Sequence, residues 1–323
     1  MSNQNIMSKY LKNHIYTYSS YIQKRFGKNI MKMGISLGLE CPYRMRTGGC
    51  YFCRPDSFIA KYQREHISIQ NQLDYVIPLY KNIYGDKRGV FAYFQDNTST
   101  AGNIEWLRRQ YQTAISHSDV EGLVISTRPD YINIEISDML AEFNQKIPVF
   151  IELGMQSVHN KSLEFLGRGH TIEDTDNAIN ILGKNGISVF VHIILAIPCE
   201  TKQDMRETIF YVNENPYIYG VKFHNLVVYK DTKLEQMYHR EKFHLPDLRE
   251  YIHLLGYLLP YLQGNKCVLR LYTSYKDRSL VVAGDFKGDK GKWNNELYFY
   301  LKTNNIIQGS KTDKKYSVTD IYK

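Results

Sequence analysis

From residue 31 onward, short apolar runs rich in β-branched and aromatic residues alternate with longer segments of helical period. The runs at 32–38, 90–95, 122–127, 148–155, 187–197 and 220–228 read as strands. Between them, 68–84, 103–117, 132–145, 172–186 and 201–215 carry apolar residues at the spacing of amphipathic helices. Ser68, Thr171 and Thr201 stand at expected N-caps, where a hydroxyl accepts from a backbone N–H that the first turn leaves unpaired, and Gly186 stands at a C-terminus. This alternation predicts an α/β fold with a parallel sheet and right-handed crossovers. About six βα units are too few for a closed eight-fold barrel. They suit an open, partial barrel or a doubly wound sheet, and in both the loops after the strands form the reactive edge.

After about residue 230 the pattern changes. A helix over 245–264 leads to a strand over 266–273, a Gly- and Lys-rich loop and a last amphipathic stretch from 294. The predicted organisation is an N-terminal extension (1–28) across the outside of the sheet, a barrel core (29–230), and a small C-terminal α+β segment (231–323) that covers the barrel or binds substrate.

Composition narrows the class. Of 323 residues, 43% are hydrophobic and 13% aromatic, enough for a sizeable core. No apolar run approaches the ~20 residues of a bilayer span, and the first 28 residues lack the apolar segment of a secretory signal, so no membrane partner is expected. Five cysteines do not make a disulfide framework in a chain this long; they point to a reducing, cytoplasmic compartment and leave thiols for metal. The net charge of +8 favours a polyanionic partner, nucleic acid first, although the basic residues are scattered and cluster only in "FKGDKGKW" and "GSKTDKKY".

Three of the five cysteines fall in one loop after the first strand, "CPYRMRTGGCYFC" at 41–53. Cys41, Cys50 and Cys53 can hold three irons of a [4Fe–4S] cubane and leave the fourth open. Gly48 and Gly49 let the backbone fold closely around such a group. A zinc site needs a fourth ligand, for which His66 is the nearest histidine downstream. Three inert structural thiols are the remaining reading.

A three-cysteine loop after the first strand of a partial (β/α)6 barrel resembles the radical S-adenosylmethionine (SAM) enzymes. The resemblance runs through "FGKNIMKMGISLGLECP", "GGCYFC", "YFQDNTST", "GLVISTRPD", "IELGMQS", "RGHT" and "GVKFHNL". The C-x8-C-x2-C spacing has a longer first gap than the commonest pattern, as in the branch that includes the elongator catalytic subunit. The resemblance is closer still to the YhcC/YtqA-like members, which usually have three more residues in that gap.

The resemblance implies a [4Fe–4S] cluster on Cys41, Cys50 and Cys53, SAM at its open iron, and a one-electron donor such as flavodoxin or ferredoxin. It implies Phe52 beside the adenine and Gln95, with Thr98 nearby, at the SAM amine. Ser126 stands where the elongator branch has a Glu at the ribose. Glu152 and Gln156 are expected to point from the fourth strand toward the cofactor, and Arg168 to grip the SAM carboxylate through both arms of its guanidinium. His192 and Ile197 are expected near SAM, the latter in a segment where Ala196 and Cys199 replace family glycines.

Lys222 and His224 share one face of the sixth strand, because strand side chains alternate with period two. If that face is the interior, both line the substrate cavity. Arg128, before Pro129 at a strand end, is a candidate for a phosphate or carboxylate, or for a salt bridge to Asp130. Cys199 is read as a tolerated small hydrophobe or a substrate-facing thiol, and Cys267 as a buried inert one. The function expected is hydrogen abstraction by a SAM-derived radical from a tRNA nucleoside, specifically the C5 side chain of a wobble uridine. The alternatives are a radical SAM enzyme acting on a small molecule or peptide, and a non-catalytic Fe–S module that binds nucleic acid.

Overall fold

The computed structural model describes residues 10–65, 68–85, 88–275 and 277–312. Six strands, β1 (Ile30–Ile35), β2 (Gly89–Phe94), β3 (Val120–Thr127), β4 (Val149–Gln156), β5 (Ser188–Leu195) and β6 (Ile218–Asn225), pair in parallel in sequence order. The short β7 (Val228–Tyr229) leaves the sheet. β8 (Cys267–Arg270) then returns to pair in parallel with β6, and β9 (Val281–Ala283) pairs antiparallel with β7. The partial barrel therefore has seven strands, one more than the repeat suggested. The strand expected at 266–273, outside the barrel core, extends the barrel's own sheet.

Helix α1 (Tyr18–Phe26) precedes β1, and α2 (Pro42–Thr47), α3 (Lys61–Glu65) and α4 (Ile69–Tyr84) follow it. After β2 comes α5 (Ile104–Ile115), and after β3 α6 (Ile134–Asn144). α7 (Asn160–Phe165) and α8 (Ile172–Lys184) follow β4, and α9 (Lys202–Glu214) follows β5. After β7 come α10 (Lys233–Glu241), α11 (Leu248–Leu258) and α12 (Lys290–Thr303). The caps form as the sequence indicates. Ser68 accepts from the Asn71 N–H, and Thr171 and Thr201 open reciprocal capping boxes with Asp174 and Asp204. The helix expected over 245–264 ends at Leu258, where a 3-10 turn containing Pro260 takes over, because proline cannot supply the next helical N–H.

One face of the sheet packs on the helices: Met33, Phe94, Ile125, Ile151 and Val191 lie in a continuous core with Leu73, Tyr111, Leu140 and Ile209. The other face lines the lumen in two tiers set by the pleat. Phe91, Phe150 and Phe190 form the lower tier, with ring centroids 5.5–5.6 Å apart. Two residues further along each strand, Tyr93, Glu152 and His192 form the upper tier.

The described part of the N-terminal segment, from residue 10, does not lie on the outside of the sheet; residues 1–9 lie outside the described residues. Tyr21 and Phe26 of α1 meet the lower-tier rings edge-on at 5.6–6.5 Å. The Val268 N–H donates to the Tyr16 carbonyl at 2.8 Å, which ties the segment to β8. The reason is apolar: the aromatic side chains of this otherwise polar segment find an unfilled aromatic ring at the bottom of the lumen, while helices already cover the outer face. The described α1 thereby plugs the bottom, and the cysteine loop lies at the other end, beyond the C-terminal end of β1.

Candidate functional site

The loop after β1 opens with Cys41 as N-cap of α2, and Gly48 closes that short helix with φ of +84°. Gly49 follows at +91°, so the chain turns back and brings Cys50 and Cys53 beside Cys41's end of the helix. Each sulfur meets a donor. Thr98 Oγ1 donates to Cys41 Sγ at 3.3 Å, Arg44 Nη2 to Cys53 at 2.9 Å, and Arg168 Nη1 and Arg128 Nη1 to Cys50 at 3.1 and 3.4 Å. Burial pushes the Cys53 thiol up to about 11, against the pull of Arg44, so a bound cation would be needed to hold it as thiolate.

Arg128 and Arg168 are themselves fixed. Arg128 forms a two-pronged pair with Asp130, at 2.9 Å on each prong, and donates to the Arg168 carbonyl. Arg168 donates to the Gly154 carbonyl at 2.7 Å and to His170 Nε2 at 3.1 Å. Burial, with the charges of Arg168 and Arg128, holds His170 down to about 3, so it is a neutral acceptor for Arg168. Gly167 and Gly169 flank Arg168 with φ of +61° and +67°. A Cβ at either would stand 2.3 Å from the Tyr51 or Tyr43 ring of the cysteine loop, so the two loops are fitted to each other through these glycines.

Below this rim the lumen narrows onto Glu152, which is fully buried. Lys32, Lys222 and His192 Nε2 approach its carboxylate at 2.5, 2.7 and 2.8 Å, and the Tyr93 hydroxyl donates to it at 2.7 Å. Burial alone would raise its pKa; Lys222, Lys32 and the His192 hydrogen bond outweigh that and hold it well below the carboxylate range. Lys222 is lowered to about 7, because burial and the neighbouring Arg270 and Lys32 charges exceed what one shared carboxylate returns. Burial and the Lys222 charge bring His192 down to about 4, and His224 is lowered too. Rim and floor enclose a cavity of about 520 Å³, within the usual range of small-molecule sites.

A family description, "Radical SAM superfamily", matches residues 35–212, and its "Radical_SAM C-terminal domain" matches 218–302. The chain belongs to the radical SAM superfamily. It is 34% identical over 299 residues to the uncharacterized protein MJ0486 of Methanocaldococcus jannaschii, covering 91% of each chain. To protein YhcC of Escherichia coli K12 it is 29% identical over 265 residues, covering 81% of this chain and 84% of that one. A tRNA uridine(34) acetyltransferase of M. jannaschii is 32% identical over 164 residues, half of this chain and 29% of its own length. Among solved structures, the archaeal Methanocaldococcus infernus Elp3 with an N-terminal deletion superposes with a TM-score of 0.65 over 87% of this chain and 64% of that one. At 19% identity it shows the shared fold.

Radical SAM proteins carry a [4Fe–4S] cluster and SAM, and the residues present fit both. His66, the fourth ligand of the zinc reading, lies outside the described residues. Four donors aimed at the sulfurs suit the accumulated negative charge of a thiolate-bound cluster. For SAM, the buried Asn97 Oδ1 has no hydrogen-bond partner while its Nδ2 is held by the Leu39 carbonyl, leaving an acceptor on the cavity wall for an ammonium.

Most residues singled out from the sequence do line the cavity: Phe52, Gln95, Thr98, Ser126, Gln156, Arg168, His192, Lys222, His224 and Arg128, with the three cysteines. Two do not. Glu152 lies below the cavity wall, enclosed by its basic partners, rather than facing a cofactor. Ile197 packs into a separate apolar cluster with Leu166 and Ile194, beside Phe52. Arg128 is a brace rather than an anion receptor, since Asp130 occupies its guanidinium. Arg168 keeps one free N–H on each terminal nitrogen, so it has less to offer a carboxylate than an unengaged guanidinium.

Cys199 turns away from the cavity toward Ser162 Oγ at 3.7 Å, and Cys267 is wholly buried among the plug aromatics with its thiol pushed up by burial. Asn97, Arg44, Lys32, Tyr93 and Arg270 also line the site and were missed. Asn97 lies within the quoted "YFQDNT"; the strand alternation that selected Lys222 also selects Lys32 and Tyr93. Nothing local in the sequence marks Arg270.

Proposed function

We propose that this radical SAM enzyme abstracts hydrogen from a nucleoside of tRNA, at the C5 side chain of a wobble uridine. The observation that carries the radical chemistry is the rim of three cysteine sulfurs, each met by a donor, at the end of the lumen opposite the α1 plug. When bound, cluster and SAM together supply a 5′-deoxyadenosyl radical, given one electron from an external donor.

The chain's own residues do the rest. Thr98, Arg44, Arg128 and Arg168 hold the cysteine thiolates in place, and Asn97 Oδ1 would accept from the ammonium of bound SAM. Phe52 would pack beside its adenine. The α1 plug keeps water from entering below, which protects a reactive species from quenching. Lys32, Lys222, His192 and Tyr93 fix the shape of the floor by sharing Glu152.

The tRNA reading draws on the net charge of +8 and on the similarity of half the chain to a protein whose name states a tRNA uridine(34) substrate. A flipped-out base could enter from the open end. The test uses bulk tRNA from a strain lacking the enzyme, incubated anaerobically with reduced protein and SAM. A changed uridine mass, formed together with 5′-deoxyadenosine and suppressed by rising salt, is expected. An unchanged nucleoside profile, with 5′-deoxyadenosine formed equally without tRNA, would transfer the proposal to a small molecule.

A further inference from the structure

The cavity is one-sided in charge. Among the described residues lining it there is no aspartate or glutamate, whereas Lys32, Arg44, Arg54, Arg168, Lys222 and Arg270 all reach it. Most of these have a counter-charge or a use. Arg44 and Arg168 face cysteine sulfurs, Arg54 pairs with Asp231 at 2.5 Å, and Lys32 and Lys222 share Glu152.

Arg270 has neither. It ends β8 opposite Lys222 in register, and its guanidinium forms no ion pair or hydrogen bond with any described residue. Its charge is nonetheless felt on the floor, where it pushes Lys222, His192 and His224 toward their neutral forms. One carboxylate thus stands among three cations. His224, two residues beyond Lys222 on the same face of β6, adds a second unfilled position. Its Nε2 is out of contact with solvent and has no hydrogen-bond partner, while its Nδ1 lies 3.5 Å from Thr273 Oγ1. The buried imidazole nitrogen is unfavourable until a partner fills the space beside it, and the half-buried Arg270 guanidinium lines the same cavity.

We propose that the floor of the cavity is an anion site: Arg270, with His224, receives a carboxylate or phosphate carried on the leading end of the substrate. The neutral imidazole donates from Nε2 when its proton resides there, and the guanidinium offers the two-pronged geometry that both anions match. The substrate therefore enters anion first, past the cysteine rim, and its reacting carbon lies between the floor and the rim. This rests on the radical SAM reading only for which end of the cavity the cluster and SAM occupy, and it does not depend on the substrate being part of tRNA.

The experiment is equilibrium dialysis of radiolabelled succinate and of inorganic phosphate against the reconstituted holoenzyme, with the cluster absorbance recorded on the same samples. Saturable binding of at least one anion is expected; which one binds separates carboxylate from phosphate recognition. R270Q should weaken it about ten- to a hundredfold, the loss of one or two charge-assisted hydrogen bonds, and R270K should restore part of it through charge without the fork. Binding of neither anion, or equal binding by R270Q, overturns the site. If R270Q does not fold, phenylglyoxal labelling of the wild-type protein makes the same test. Protection of Arg270 by the binding anion supports the site, and equal labelling with and without it overturns it. A holoenzyme that shows its cluster but binds no anion contradicts this inference alone; anion binding without any cluster absorbance contradicts the radical SAM reading alone.

Discussion

Glu152 shows what strand alternation can and cannot disclose about a side chain. Its position in the fourth strand aims it into the lumen, and that much is legible from period two. That Lys32, Lys222 and His192 converge on it from three other strands depends on barrel closure, which no local pattern encodes. Removing its charge leaves the buried Lys222 and the half-buried Lys32 without a counter-ion, so E152Q is expected to cost about 3–5 kcal/mol in urea unfolding. Pairing it with K222M should recover part of that loss; a single variant within about 0.5 kcal/mol of wild type would contradict the network. Ala196 is a smaller case. The sequence marks it as a departure from a family glycine, and it adopts φ of +60°, where a Cβ is strained. A196G is expected to raise stability by about 0.5–1 kcal/mol, the relief exceeding the added chain entropy. A lower unfolding midpoint would show that the methyl contributes packing instead.

At the scale of elements, the six core strands and five of the helices between them follow from hydrophobic period and caps, because each is amphipathic against a single layer. The segments misjudged are those whose partners are remote. The aromatic residues of α1 name no partner in sequence, and only the ring of Phe91, Phe150 and Phe190 explains why the helix fills the lumen instead of the outer face. β8 is too short to declare its neighbour, and pairing with β6 is what delivers Arg270 to the floor. The fit between the cysteine loop and the loop after α7 is likewise invisible until Gly169 and Tyr43 are seen in contact. G169A is expected to displace Tyr43 and with it the Arg128 guanidinium, which lies 4.1 Å above that ring. Iron content after reconstitution should fall while far-UV circular dichroism stays unchanged; full iron loading would show that the two loops move independently.

The whole molecule is a lumen plugged at one end, charged at its floor and lined with thiols at its mouth, and its pH response follows from the buried imidazoles. His170 and His192 are held at about 3 and about 4, and His224 is also lowered, all first by burial. Unfolded, each would take a proton near 6.5; folded, they resist it, so stability falls as pH drops below 6.5. The loss is about 1.4 kcal/mol for each histidine between pH 7.5 and 5.5. A urea midpoint that does not fall over this range would mean that these imidazoles are not held neutral. No helix among the described residues is long and apolar enough to cross a membrane.

The most direct test of the account is SAM cleavage by the anaerobically reconstituted, dithionite-reduced protein, measured as 5′-deoxyadenosine and methionine, with C41A, C50A and C53A alongside. The account predicts both products from the wild-type chain and neither from any of the three variants. Cleavage that survives loss of one of these cysteines, or its absence from a wild-type protein carrying a full complement of iron and sulfide, would contradict it.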